Sequence, residues 1–376
     1  MLTAHRTLPL AAALALASCA AEAPLTAPTL TFHDFGLEAP VAQPATEVVQ
    51  LTVPTYDGSG EAVHPDVLWF PEGWHGWEYW MAFTPYPGGQ EHYENPSIAV
   101  SHDGVRWEVP AGLVNPVVAT PRHGGFNSDP DLSYDAAHDR LVLLTREVRG
   151  GFNLIWMLAS ADGVTWTSPR LLFRRRNHGI ISPTMVLSAA GAPTVWYVNA
   201  GSKRCPSRVT RVARQSALSE DALAPAAPER GWSRPSAAGL EQPGYFIWHL
   251  DVTWVPEKNE YWAVYPAYDR RGCGARDLFF ARSSDGVTWT TYSRPVLRHE
   301  DQHWTSAMLY RASALYDPAT DRVRLFLSGS APGPEWHLGY VEFGYAELLA
   351  GLQADGASAL RDSRRTGLPR QEGELP

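Results

Sequence analysis

The turn Ser-x-Asp-Gly-x-x-Trp occurs three times in this chain of 376 residues, at 101–107, 160–166 and 283–289. Its aspartates, Asp103, Asp162 and Asp285, lie 59 and 123 residues apart, so the second gap is close to twice the first. A period of this size means one supersecondary unit, stacked or arranged radially, with the turn missing from one unit in the longer gap. The chemistry of the turn explains its reuse. Asp accepts hydrogen bonds from backbone N–H groups two or three residues on, and Gly supplies the positive φ of a tight hairpin. Trp is a large apolar plug for the space between sheets.

These turns resemble the Asp-box hairpins of sialidase-type and related propellers, although here Gly follows Asp directly. Around them, apolar and alternating runs locate three strands of what is expected to be a four-stranded unit. First strands are expected at 64–70, 129–134, 182–187, 249–255 and 311–316. Second strands fall at 79–84, 141–146, 194–199, 261–266 and 323–328, and third strands at 97–101, 154–160, 209–215, 278–283 and 337–343. The third and fifth units lack the Asp-Gly turn. The pattern predicts an all-β chain: a five-bladed β-propeller with Asp-box-like hairpin turns over residues 46–349. So regular a period argues against a two-sheet sandwich. A short helix is expected at 217–223, and residues 350–376 read as a polar, disordered tail.

Residues 1–18 have a short basic start (His5, Arg6) and an Ala/Leu-rich core too short to cross a bilayer, the form of a secretory signal. Leu16-Ala17-Ser18-Cys19 resembles the bacterial lipobox, which implies cleavage before Cys19 and lipidation of its thiol. No Asp follows that Cys, which by the same resemblance implies the outer membrane where the host has one. Residues 19–45 read as the lipidated Cys and a Pro/Ala-rich tether. The chain is thus expected to be exported and lipid-anchored to the cell envelope. Export makes a disulfide plausible for the two remaining cysteines, Cys205 and Cys273, at matching places in adjacent blades. Net charge is −9 and the one basic run is Arg174-Arg175-Arg176, which argues against nucleic acid as a partner. A closed propeller has no need of a partner subunit, so a monomer is expected.

Propeller first strands line the central channel. Aligning His64-Pro65-Asp66, Asp129-Pro130-Asp131, Ser182-Pro183-Thr184 and His249-Leu250-Asp251 places Asp66, Asp131 and Asp251 at equivalent positions of blades one, two and four. Carboxylates converging there raise one another's pKa unless a cation or a sugar hydroxyl intervenes. The connection from second to third strand returns to the same mouth with Glu94-Asn95 in blade one and Arg146-Glu147 in blade two. Trp74, Trp77, Tyr86, Tyr93, Tyr245 and Trp304 are candidates for stacking on sugar faces. Arg146 and Arg311 could bind a carboxylated or sulfated sugar, or pair with Glu147 and Glu300. His64 and His249 could orient the aspartates, pack in the core, or join the carboxylates in holding a divalent cation. No other cofactor is implied.

From about residue 53 to 345 the chain resembles the five-bladed propeller glycosidases, the arabinanase, levansucrase and invertase superfamily that includes glycoside hydrolase family 43. The likeness rests on blade count, the blade-one Asp and the Asp-Gly-x-x-Trp turns. It implies that Asp66 acts as base or nucleophile, and Ser128-Asp129-Pro130, similar to an Asp-Pro motif of the invertase branch, brings in Asp129 as an alternative to Asp131. Two departures stand out. Ser182-Pro183-Thr184 replaces the family's pKa-tuning Asp of blade three, and Glu241-Gln242-Pro243 only loosely echoes its acid. The expected function is that of a surface-anchored glycoside hydrolase, with Asp66 as base, Asp131 and Asp251 positioning or tuning, and Glu94 or Glu147 as acid. The rival is a carbohydrate-binding or scaffold propeller without catalysis.

Overall fold

The computed structural model describes residues 48–353 except 123, 190, 202–209, 219–222, 224–230 and 270–275. Cys19, Cys205, Cys273, the signal, the tether, the chain beyond 353 and most of the helix expected at 217–223 lie outside the described residues.

After β1 (Val49–Leu51), five antiparallel sheets follow one another along the chain. Blade one holds β2 (Ala62–Trp74), β3 (Trp77–Pro85) and β4 (Ser97–Ser101). Blade two holds β5 (Phe126–Asp135), β6 (Arg140–Arg149), β7 (Phe152–Ser160) and β8 (Arg170–Arg176). Blade three holds β9 (Ile181–Leu187), β10 (Pro193–Asn199), β11 (Arg211–Ser216) and β12 (Ser236–Ala237). In blade four, β13 (Tyr245–Ile247) and β14 (Asp251–Val255) form one interrupted inner strand, followed by β15 (Glu260–Asp269), β16 (Arg276–Ser283) and β17 (Thr290–Thr291). Blade five holds β18 (Met308–Asp317), β19 (Arg322–Ser330) and β20 (His337–Gly344), and β1 pairs with β20 as its outermost strand. This is the five-bladed β-propeller that the repeat predicts.

Strand alternation explains why the blades pack as they do. Leu141 and Leu143 join a core cluster with blade-one residues such as Trp80 and Ile98, whereas Val142 and Leu144 join one with Val195 and Tyr197 of blade three. Successive residues point to opposite faces, so a strand buried on both sides reads as a continuous apolar run. Each of the five buried clusters is shared by two neighbouring blades, and one joins Phe326 of blade five to Met81 of blade one. The ring therefore closes through packing, with β1 tying its ends.

The Asp-Gly turns behave as their chemistry demands. Asp162 Oδ1 accepts from the backbone N–H groups of Val164 and Thr165 at 2.8 and 2.6 Å, and Asp103 and Asp285 repeat the pattern. Gly163 has φ +73°, and a Cβ there would fall 2.1 Å from the Trp80 ring of the preceding blade. The turn thus needs glycine twice over, for its backbone and for the neighbouring blade.

Two features depart from expectation. The helix α1 (Tyr345–Gln353) follows β20, burying Tyr345, Leu348 and Leu352, and so runs past residue 349. In blade one, the bridge between Val100 and Glu108 stands where a fourth strand would lie.

Candidate functional site

All five inner strands break register at the same height. Two residues, or three in blade four, bulge between Val63 and Asp66, Ser128 and Asp131, Ile181 and Thr184, Ile247 and Asp251, and Leu309 and Ala312. Such bulges re-aim side chains. In the first three blades the bulge is an X-Pro pair whose first residue is left-handed: His64 φ 57°, Asp129 φ 47° and Ser182 φ 47°. Proline suits a position with no ladder bond to donate, and a non-glycine residue held at positive φ costs about 1–3 kcal/mol. The bulges divide the channel into two tiers, an upper one of His64, Asp129, Ser182, His249 and Tyr310, and a lower one of Asp66, Asp131, Thr184 and Asp251.

In the lower tier each side chain latches the next blade. Asp66 Oδ2 accepts from Leu132 N at 2.7 Å, Asp131 Oδ2 from Met185 N at 3.0 Å, and Thr184 Oγ1 from Val252 N at 3.0 Å. Asp251 accepts from the Ala314 backbone and from the Thr184 hydroxyl, the latter at 3.0 Å. The fully buried Arg311 supplies the counter-charge, its Nη2 3.7 Å from Asp66 and 3.5 Å from Asp131. Burial, reinforced by the neighbouring carboxylates, pushes Asp131 and Asp251 up to about 7 and Asp66 well above its usual range. Arg311 therefore pairs with these aspartates and not with Glu300.

The upper tier is arranged differently. Asp129 Oδ2 accepts from Ser182 N at 3.0 Å and lies 2.8 Å from Arg146 Nε, which leaves Oδ1 facing His64 Nε2 at 3.3 Å and His249 Nδ1 at 3.4 Å. His64 Nδ1 is 2.9 Å from the Thr84 hydroxyl. His64 Nε2 and both ring nitrogens of His249 are buried without a hydrogen-bond partner. Burial holds the His64 imidazole down at about 3 and that of His249 well below its usual value, so both rings are neutral. Burial alone would raise Asp129, but the Arg146 guanidinium beside it holds its carboxyl well below the usual range. Glu94 is buried with Oε1 3.9 Å from His64 Nδ1, and burial together with Asp129 pushes it well above the usual carboxylate range.

Tyr310 completes this tier from blade five, its ring 4.2 Å from that of His249 and 5.2 Å from that of His64. Trp336 lies 5.2 Å from Tyr310 and 5.4 Å from Tyr86, so three aromatic rings line the mouth beside Glu94. Neither Tyr310 nor Trp336 stood out in the sequence: Tyr310 because blade five lacks the X-Pro signature, and Trp336 because it lies in the connection between β19 and β20. Asn95 braces the Glu94 loop, donating to Tyr56 and Thr120 and accepting from Asn127.

Other expected site residues are engaged elsewhere. Glu147 accepts from Trp156 Nε1 at 2.7 Å and pairs with Arg149 at 3.0 Å, and Glu241 is exposed. Trp74 and Trp77 pair in the β2–β3 hairpin, at the far end of the blade from His64. Trp304 lies where a Cβ on Gly339 of β20 would come within 2.5 Å of its ring, and so fills the outer layer of blade five.

His64, His249 and Asp129 each offer one donor atom to a group whose atoms lie within 4.8 Å of one another, as do Asp66, Asp131 and Asp251. Two neutral imidazoles and an ionised carboxylate fit a first-row divalent cation, and a hydrogen bond from Nδ1–H to Thr84 would fix the His64 tautomer with Nε2 free. The lower group already has Arg311 as its cation.

No protein-family model matches the chain. It is 25% identical to the A type blood N-acetyl-α-D-galactosamine deacetylase of Flavonifractor plautii across 82% of its own length, and spans about half (49%) of that curated relative. The crystal structure of the N-acetylgalactosamine deacetylase from F. plautii with blood group B trisaccharide superposes with TM-score 0.74 at 24% identity, covering 84% of this chain and 99% of that one. A thermostable family-43 glycoside hydrolase superposes with TM-score 0.54 at 14% identity, over 74% of this chain and 88% of the other. The fold is thus that of the five-bladed propeller glycosidases and related carbohydrate-active enzymes, as the sequence resemblance implied.

Proposed function

We propose that this chain is a carbohydrate-active hydrolase whose reacting centre is the upper tier, and that it removes the acetyl group from an N-acetylated sugar. The observation that carries this reading is the buried trio of His64, Asp129 and His249, with partnerless imidazole nitrogens aimed at one carboxylate oxygen and Glu94 alongside. The similarity to a sugar deacetylase supports it. His64, His249 and Asp129 would hold a divalent cation, which when bound polarises a carbonyl oxygen. Glu94 takes a proton from water as the water oxygen bonds to the acetyl carbon. The C–N bond then breaks, and Glu94 returns the proton to the leaving nitrogen, giving acetate and a free amino sugar. Arg146 keeps Asp129 ionised, while Tyr310, Trp336 and Tyr86 offer faces for the sugar. Asp66, Asp131 and Asp251 hold the blades together beneath.

A second reading, hydrolysis of a glycosidic bond, is favoured by one observation. Glu94 and Asp129 share the tier with their pKa values driven in opposite directions, the pairing of acid and carboxylate that such hydrolysis requires. One assay separates the readings: incubation with a trisaccharide ending in N-acetylgalactosamine, with and without a chelator. Acetate release without new reducing ends, lost on chelation, is the expected result. New reducing ends that survive chelation would favour the second reading, and no turnover on any glycan would leave a binding protein.

Lipid anchoring through Cys19 belongs to the same proposal, supported by Leu16-Ala17-Ser18-Cys19. Cys19→Ala should move the protein from the detergent phase to the aqueous phase on detergent partitioning. A wild type already in the aqueous phase would refute anchoring.

A further inference from the structure

The basic run of blade two has no part in the site just described. Arg174 and Arg176 are two residues apart on β8, which pairs only with β7, so they share one face of an edge strand. Both are exposed, and both lie over the Phe152 ring, with guanidinium carbons 3.8 and 5.5 Å from its centroid. Register fixes their height. Arg176 pairs with Phe152 and Arg174 with Leu154, whereas Ser128, beside Asp129, pairs with Arg146 and that in turn with Ile155. The two arginines therefore stand on the upper face of the same blade, at its outer edge and outward from the reacting tier.

A line of polar contacts connects the two regions. Arg146 lies 2.8 Å from Asp129 and donates to Asn153 Oδ1 at 3.2 Å, and Asn153 donates to the carbonyl of Asn177, next to Arg176. The neighbouring arginines are occupied: Arg149 pairs with Glu147, and Arg175 donates to Gln215 Oε1 at 2.9 Å. Among the described residues, Arg174 and Arg176 form no ion pair with a carboxylate. Edge strands often carry charges that discourage strand pairing. That need does not call for two like charges fixed on one aromatic ring, in a chain of net charge −9.

We propose that Arg174 and Arg176 form a subsite for an anionic glycan, gripping carboxylate or sulfate groups on sugar units beyond the one at the upper tier. Guanidinium forks match the paired oxygens of both groups, and the Phe152 ring against which both lie holds the two charges near one another. The inference rests on the reading of the substrate as a carbohydrate. It assigns that substrate a charge.

The test is calorimetric titration of the full chain with polygalacturonate, chondroitin sulfate and neutral dextran at low and moderate salt, beside vesicles containing phosphatidylglycerol. The wild type should bind one or both anionic polymers at least about tenfold more tightly than dextran, and added salt should weaken binding. The double variant Arg174→Ala, Arg176→Ala should lose about tenfold of that affinity while releasing acetate from the small neutral trisaccharide at the wild-type rate. Equal binding of dextran, unchanged affinity in the double variant, or binding confined to vesicles would overturn the subsite. A wild type that holds the anionic polymers through these arginines yet releases no acetate would instead overturn the deacetylase reading and leave the subsite standing.

Discussion

The two tiers of the channel are two residues apart in sequence and different in chemistry. Each lower-tier side chain accepts a backbone N–H from the next blade, and Arg311 sits among the acids as their counter-ion. The upper tier makes two such latches, Ser182 N to Asp129 Oδ2 and Leu250 N to Ser182 Oγ, and turns the other Asp129 oxygen toward His249, which has no hydrogen-bond partner, and toward the free Nε2 of His64. Where acids recur around a propeller, recurrence alone is a poor guide to catalysis. Repeat geometry rewards the same inter-blade bond in successive blades but does not account for buried nitrogens without a hydrogen-bond partner, which here belong to His64 and His249 above and to Arg311 below, where carboxylates face it at 3.5 and 3.7 Å.

The sharpest way to break this comparison is His249→Ala. It removes a proposed cation ligand that makes no hydrogen bond, so acetate release should fall on the order of a thousandfold with the fold retained by circular dichroism. Wild-type turnover would end the claim for the upper tier. Arg311→Met attacks the other tier, leaving buried carboxylates without their cation. Urea unfolding should show a loss of about 3–5 kcal/mol. An unchanged midpoint would mean that the lower tier is not held as described.

Asp66→Asn should be mild. It keeps a carbonyl oxygen for Leu132 N and relieves repulsion by Asp131, so stability should change by about 1 kcal/mol or less and turnover by no more than a few-fold. Loss of turnover with stability intact would return Asp66 to the role of base that the family resemblance implied.

The smallest effect concerns the turns. Backbone donors hold Asp162 down at about 2, below its unfolded value of about 4. A depressed carboxylate stabilises above its unfolded pKa, so the contribution is full above about pH 4 and is lost as pH falls toward 2. Wild type should therefore lose stability over that interval more steeply than Asp162→Asn in acid unfolding. Identical acid limbs would remove the turn from the account.

Blade number was legible because the Asp-Gly-x-x-Trp turn is local chemistry, recoverable from seven residues at a time. The tiers were only half legible. His64-Pro65-Asp66 and its counterparts showed which residues face the channel, but not that a bulge puts the first and third at different heights. That depends on register against β3, β6 and β10, which no single strand encodes. Blade five showed Arg311 but hid Tyr310, since Tyr310-Arg311 lacks the X-Pro pattern. The strand that closes the ring, β1, is too short to carry a period. By contrast, Tyr345, Leu348, Leu349 and Leu352 have helical spacing, so α1 is readable, although the boundary expected between propeller and tail at 349 and 350 cuts through it.

The most direct test of the division between tiers is the zinc stoichiometry of chelator-stripped protein, titrated as wild type, as His64→Ala, His249→Ala and as Asp66→Asn. One tightly bound ion is expected in the wild type and in Asp66→Asn, and none in the double histidine variant. An ion that survives loss of both histidines but is lost with Asp66 would place the metal in the lower tier and contradict the assignment.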